Sequence, residues 1–186
     1  IATVAELNLP DDSYFNNQWG LHNVGQSIAG TDGKVDADID APEAWTITKG
    51  DGTYDDVSNG TIVAVLDTGV DQDHEDLSGK IVINKDFTLS TSGAEDMYGH
   101  GTHVAGIIAA NTNNATGVAG VCPDCRIMNI KVLGDDGSGS TSGIASGIYY
   151  ASDNGAKVIN MSLGSAFKST TLENAVKYAW GKGVVI

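Results

Sequence analysis

Apolar and polar residues alternate differently in the two parts of this chain. Up to about residue 60 the pattern is irregular and turn formers dominate, as in "LPDDSYFNNQWG", "AGTDGKVDADIDAPEAW" and "GDGTYDDVSNG". Pro42 and Glu43, just after Asp40, predict one short helix at "DAPEAW". Regular structure then begins abruptly. "TIVAVLDTGV" (61–70) is a continuous β-branched apolar run, the pattern of a strand buried on both faces. "HVAGIIAA" (103–110) is apolar all round and predicts a buried helix. "RIMNIKVL" (126–133) and "KVINMSL" (157–163) read as strands. Between them "STSGIASGIYYASDNG" (140–155) reads as a helix started by a Ser or Thr and ended by Gly155. In "TTLENAVKYAWGKG" (170–183), Thr170 and Glu173 have capping-box spacing, and Leu172, Ala175, Val176 and Ala179 form an apolar stripe.

Strands alternating with helices imply an α/β domain of three layers, a largely parallel sheet flanked by helices. "GVVI" (183–186) opens one more strand pattern and stops inside it. The chain is therefore expected to be a single domain, 1–186, with its C-terminal part missing.

Composition narrows the functional classes. No apolar run approaches the ~18 residues of a membrane span, so no membrane partner is expected. Glycine is 24 of 186 residues without a period, which points to tight turns. The net charge of −14 is unevenly spread: residues 1–100 carry 19 Asp and Glu against 4 Lys, residues 101–186 carry 5 against 6 Lys and Arg. Nucleic acid, which requires clustered cations, is not an expected partner. Most of these carboxylates read as a solvated surface, with a subset available to a hard cation such as calcium. Cys122 and Cys125 in "VCPDC" suit a redox pair, half a zinc site or a small disulfide loop, and no second Cys pair completes a zinc ribbon.

In an open parallel sheet, functional groups collect beyond the carboxyl ends of the strands. Asp67 stands there, after "TIVAVL", and His100 follows 33 residues later at the mouth of the next helix. An Asp that orients a His, which then takes a proton from a hydroxyl, is the base half of a nucleophilic triad. Alone, each residue has a plain structural reading, the Asp as a turn former and the His as a satisfied structural side chain. Zinc is the other use of two histidines, but His100 and His103 lack the i, i+4 spacing of a zinc-protease helix.

The wording around them is specific. "VAVLDTGV" followed by "GHGTHVAGIIAA" resembles the subtilisin-like serine proteases, the subtilase family, and is nearest in motif to its thermitase-like members. "YFNNQWGL", "DAPEAW", "KVLGDDGSGS", "GIYYASDNGAKVINMSLG" and "AVKYAWGKGVV" extend the resemblance in order over nearly the whole chain. It implies a secreted, extracellular serine endopeptidase, a hydrolase acting through an Asp-His-Ser triad on extended peptide or protein substrates.

The resemblance makes Asp67 the orienting carboxylate and His100 the general base, with His103 a packed partner. Glycines 99 and 101 leave His100 uncrowded. Gly137, Ser138 and Gly139 match one backbone edge that pairs with substrate, and Ser162, Leu163 and Gly164 match the opposing edge. Two edges clasping a peptide as a strand gain affinity from main-chain bonds whatever the side chains. Leu133 and Leu163 are candidate pocket walls.

A structural calcium site is implied too, formed by Asp12, Asp76, Asn111, Asn114, Thr116 and Val118. Carboxylates, an amide oxygen and backbone carbonyls suit that ion. A second calcium site of such relatives is expected to be absent, because Leu89, Thr91 and Gly93 replace its oxygen ligands. A local Cys122–Cys125 disulfide fits a secreted protein better than free thiols. Asn59, Asn114 and Asn160 fall in Asn-x-Ser/Thr triplets, the last two read as chance matches on a calcium loop and a buried strand.

The resemblance also sets what is missing. The family's serine lies in a Gly-Thr-Ser-Met-Ala context, and neither it nor the oxyanion-hole Asn occurs here. Ser140, Ser142 and Ser165 fall in substrate-binding or capping segments. These 186 residues alone are therefore expected to be inactive, with the rest of the domain and a pro-region as partners and residues 1–10 a pro-region tail or processing junction. The alternative is a non-catalytic, calcium-stabilised peptide-binding fragment.

Overall fold

The computed structural model describes residues 7–50 and 60–186. Asn59 and the first six residues of the 1–10 segment lie outside the described residues. The apolar runs after Gly60 form a four-stranded parallel sheet. Strands β3 (Ile62–Asp67), β4 (Ile81–Asp86), β5 (Arg126–Lys131) and β6 (Val158–Asn160) lie in the order β4-β5-β3-β6. The register pairs Asp67 with Lys131 and Val65 with Asn129, so the carboxyl ends of β3 and β5 finish together.

Alternation along β3 divides the core in two. Val63 and Val65 face helix α2 (His100–Ala109), in a cluster with Val104, Ala105 and Ile127. Ala64 and Leu66 face helices α3 (Thr141–Asp153) and α4 (Thr170–Gly181), with Met128, Ile130, Ile148 and Ala175. This is the three-layer arrangement. Full burial of each large aliphatic side chain contributes about 1.5–3 kcal/mol, so β3 and β5 are rigid supports for whatever their ends carry.

The helices follow their sequence signals with adjustments. Ser140 caps α3, its Oγ accepting from Gly143 N at 3.0 Å, and Gly155 just past the end has φ +94°. Helix α4 begins one residue earlier than Thr170 suggests. Its cap is Ser169, whose Oγ accepts from Leu172 N, while Glu173 pairs with Lys177. Helix α2 is not buried all round. It lies on one face of the sheet, so only a stripe through Gly101, Val104, Ala105 and Ala109 is covered, while Ile107 is 49% exposed. Strand β6 is three residues rather than seven, and from "GVVI" only Val185 makes a parallel bridge, to Val158.

The irregular first part holds α1 (Ala41–Trp45), which packs with Phe15, Leu21 and Ala119 in a third small core. It also holds a two-residue ribbon that the sequence pattern does not reveal, β1 (Ser27–Ile28) paired with β2 (Thr31–Asp32). Ala29 and Gly30 between them both have positive φ, 50° and 82°, as a tight primed turn requires. Cys122 and Cys125 form a disulfide. No helix among the described residues is long and apolar enough to cross a membrane.

Candidate active site

Asp67 ends β3 with its side chain 1% exposed, and Oδ1 accepts from Thr68 N at 2.7 Å. The same oxygen lies 2.7 Å from His100 Nδ1. A carboxylate only accepts, so the ring donates from Nδ1, which leaves Nε2 as its other, proton-accepting nitrogen. The imidazole is 43% exposed. One partner is thus fixed in the interior and the other faces outward.

The approach of the two is set by the backbone. Gly99 adopts φ +96°, which turns the chain into α2. Gly101 lies against the turn after β3, where a Cβ would overlap the Gly69 carbonyl oxygen and come 3.1 Å from Asp67 Cβ. No other residue permits this contact.

His100 borders a groove of about 720 Å³. Every residue assigned to substrate contact by resemblance lines it: Leu133, Gly137, Ser138 and Gly139 on one side, Ser162, Leu163 and Gly164 on the other. The first side follows β5 and the second follows β6, so the two segments flank the groove as a consequence of strand order. Tyr98 and Ile144 line the groove as well, and Tyr98 fills the space beside Gly137. Motif reading missed both, because an aromatic before His100 and an aliphatic in α3 carry no chemistry of their own.

Beneath the site is a buried cation that sequence reading assigned only to a strand. Lys131 is fully buried. Its Nζ donates to Thr68 O and pairs with Asp135 at 3.0 Å. It joins the turn after Asp67 to the loop leading to Gly137. The lysine holds the Asp135 carboxyl below its usual range, with a hydrogen bond from Ser92 adding to the effect. His103, expected to be a packed partner, is instead exposed on the outer side of α2, because the buried stripe passes through Val104 and Ala105.

The residues proposed for calcium gather some way from the groove. Asp12 and Asp76 are 5% and 3% exposed. Asp76 Oδ1 accepts from Asn114 Nδ2 at 2.8 Å and its Oδ2 from Val118 N at 3.0 Å. Thr116 N donates to Asn114 Oδ1 at 2.9 Å, and Asn113 N donates to Asp12 Oδ2 at 3.0 Å. The side chain of Asn111 points elsewhere, to Ser78 O, and its backbone N–H donates to Asp76 O. Asp12 Oδ1 is buried with no hydrogen-bond partner in the structure. An orphaned buried carboxylate oxygen fits a hard cation, which would take its remaining ligands from neutral amide and carbonyl oxygens. No cluster of three His, Cys, Asp or Glu side chains suited to a metal occurs among the described residues, so such a site would depend on those neutral oxygens.

Comparison with known proteins bears on the whole chain. A family model described as the subtilase family matches residues 58–186. A thermophilic serine proteinase of Bacillus sp. (strain AK1) is 52% identical over 178 residues, 95% of this chain and 39% of the relative. Thermitase of Thermoactinomyces vulgaris is 47% identical over 178 residues, 95% of this chain and 56% of the relative. A protease structure from Pseudoalteromonas arctica PAMC 21717 aligns with a TM-score of 0.78 at 33% identity, covering 96% of this chain and 57% of that one. The chain thus spans roughly two fifths to just over half of these relatives' length.

Proposed function

The chain belongs to the subtilase family of serine proteases, and from that premise we propose that the full-length protein is a serine endopeptidase to which these residues contribute the orienting acid and the base. The observation that carries the reading is the 2.7 Å contact between His100 Nδ1 and buried Asp67 Oδ1 at the edge of the groove. In the proposed reaction a serine from the remainder of the protein attacks the peptide carbonyl while His100 Nε2 takes its proton. The same nitrogen then delivers that proton to the leaving amine. Asp67 holds the tautomer and supports the imidazolium without accepting the proton itself.

The substrate is an extended peptide lying between the 137–139 and 162–164 segments. Leu133 and Leu163 supply apolar wall on either side. Affinity from main-chain bonds makes selection broad. Calcium is the proposed structural ion, held by Asp12, Asp76 and Asn114 with the carbonyls of Asn111, Thr116 and Val118, and it would tie the N-terminal arm to the loop after α2. Support for this is the orphaned Asp12 Oδ1 and the arm's direct bonds to the loop, Ser13 Oγ to Ala115 O at 2.8 Å and Tyr14 N to Gly117 O at 2.9 Å. An extracellular location accords with the Cys122–Cys125 disulfide.

The test is peptide hydrolysis by the full-length protein. His100→Ala is expected to lower turnover by ~10³-fold or more while the far-UV circular dichroism spectrum stays unchanged. Turnover near that of the unmodified protein would contradict the reading. A full-length protein that binds extended peptides and never cleaves them would replace it with a binding function.

A further inference from the structure

Before α2 runs the segment 87–99, and one of its carboxylates bonds to residues beside each half of the acid–base pair, Thr68 next to Asp67 and Gly99 next to His100. Asp96 Oδ1 accepts from Thr68 Oγ1 at 2.9 Å, from Tyr98 N at 3.0 Å and from Gly99 N at 2.8 Å. Asp96 Oδ2 accepts from Thr102 N at 2.9 Å and from Thr102 Oγ1 at 2.6 Å. Thr68 Oγ1 in turn accepts from Gly101 N at 2.9 Å, and Thr102 Oγ1 from Asp71 N at 2.9 Å. Thr68 follows Asp67 directly, and Gly101 follows His100.

We propose that Asp96 is the positioning residue of this site, clamping the first turn of α2 to the turn after β3 so that His100 is held against Asp67. The inference rests on the acid–base reading of that pair. Asp96 does not line the groove, so it acts only through Thr68, Thr102 and the backbone.

Three observations give the proposal its force. Hydrogen bonds to a charged acceptor are roughly twice as strong as neutral ones, and five converge on this one side chain. Two of the five donors, the amides of Gly99 and Thr102, lie at the start of α2, where the helix cannot satisfy its own N–H groups, so the carboxylate holds the helix end itself. The turn and the helix are in close contact at Gly101, where a Cβ would overlap the Gly69 carbonyl oxygen. The chemistry is sensitive to a shift there, because a misplacement of about 1 Å costs ~10²-fold in rate. Burial acts to raise the Asp96 carboxyl's pKa, but the Thr102 hydroxyl and the amides of Gly99, Thr102 and Tyr98 outweigh it, leaving the group below its ordinary value. At neutral pH Asp96 is therefore an acceptor at both oxygens.

The experiment compares Asp96→Ala and Asp96→Asn in the full-length protein, with His100→Ala as reference. Asp96→Ala is expected to lower kcat about 10- to 100-fold with KM changed less than about twofold. The downfield proton resonance of His100 Nδ1–H should shift or broaden. Asp96→Asn keeps one carbonyl acceptor but opposes an NH₂ to donors, so its kcat falls between those of the unmodified protein and Asp96→Ala. A loop staple with no role in positioning would lower the melting temperature and leave kcat and the resonance unchanged. That result, with His100→Ala inactive, overturns this inference and leaves the acid–base reading standing. Undiminished turnover in His100→Ala overturns both. If Asp96→Ala does not fold, Thr68→Val decides, because it removes the hydroxyl that joins Asp96 and the Gly101 amide to the Asp67 turn while sparing the amide bonds made by Asp96 itself. Unchanged kcat in Thr68→Val would equally overturn the inference.

Discussion

At the scale of single residues, the site sets a fixed group beside an exposed one. Asp67 is enclosed by β3, β5 and its own turn, while His100 projects from the first residue of α2. The glycine behind it has no room for a side chain. Gly101→Ala would push the helix end off the Gly69 carbonyl, and overpacking of this kind costs about 1–3 kcal/mol. Chemical denaturation should show that loss together with reduced turnover, and unaltered stability would mean the helix and turn are not in contact as described. That Asp67 and His100 meet was legible in the sequence because each lies in a short motif that resembles the family's pattern. Asp96 and Lys131 were not. Their partners are backbone groups and hydroxyls brought near by folding, and an Asp in a loop or a Lys at a strand end is common in any domain. His103 was misread because a motif shows that a residue recurs, without showing which side of the helix it faces.

Among the elements, alternation of apolar runs gave the layer order and sheet type, since a strand buried on both faces leaves a pattern no surface strand has. Ends were less legible. Thr170 and Ser169 are both competent caps, and the structure uses Ser169. Ser169→Ala should therefore destabilise α4 by about 1 kcal/mol, whereas Thr170→Ala should have a clearly smaller effect in the same urea titration. Ribbon β1–β2 was invisible because Ala29 adopts a left-handed turn conformation that its identity does not advertise. A further test sits where β4 begins. Lys80 is buried and its Nζ donates to Pro123 O in the disulfide loop. Burial, with Arg126 close by, lowers its pKa to about 8 against an opposing pull from Asp124 and Asp76. The unfolded chain keeps the proton up to about 10.4, so between those values the unfolded state binds more protons than the folded state. Stability from this group therefore rises with pH across that window. The corresponding increment should vanish in Lys80→Met, and an identical pH profile in both proteins would contradict it.

For the molecule as a whole, the acidic first half and the more balanced second half meet at the groove beside His100 and at the arm-to-loop contact. If calcium closes that contact, it binds the folded state alone, and each tenfold rise in its free concentration above Kd adds about 1.4 kcal/mol. Chelator should lower the melting temperature, and Asp76→Ala should remove most of the chelator's effect. A melting curve indifferent to chelator would eliminate calcium from this account. The central claim is that His100, held by Asp67, activates a serine hydroxyl in the complete protein. Its most direct measurement is the intact mass of the full-length protein after treatment with a phosphonofluoridate, a reagent that reacts with activated serine hydroxyls. The account predicts one covalent adduct per molecule, lost in His100→Ala. No adduct on the unmodified full-length protein, or an adduct formed as quickly without His100, would contradict it.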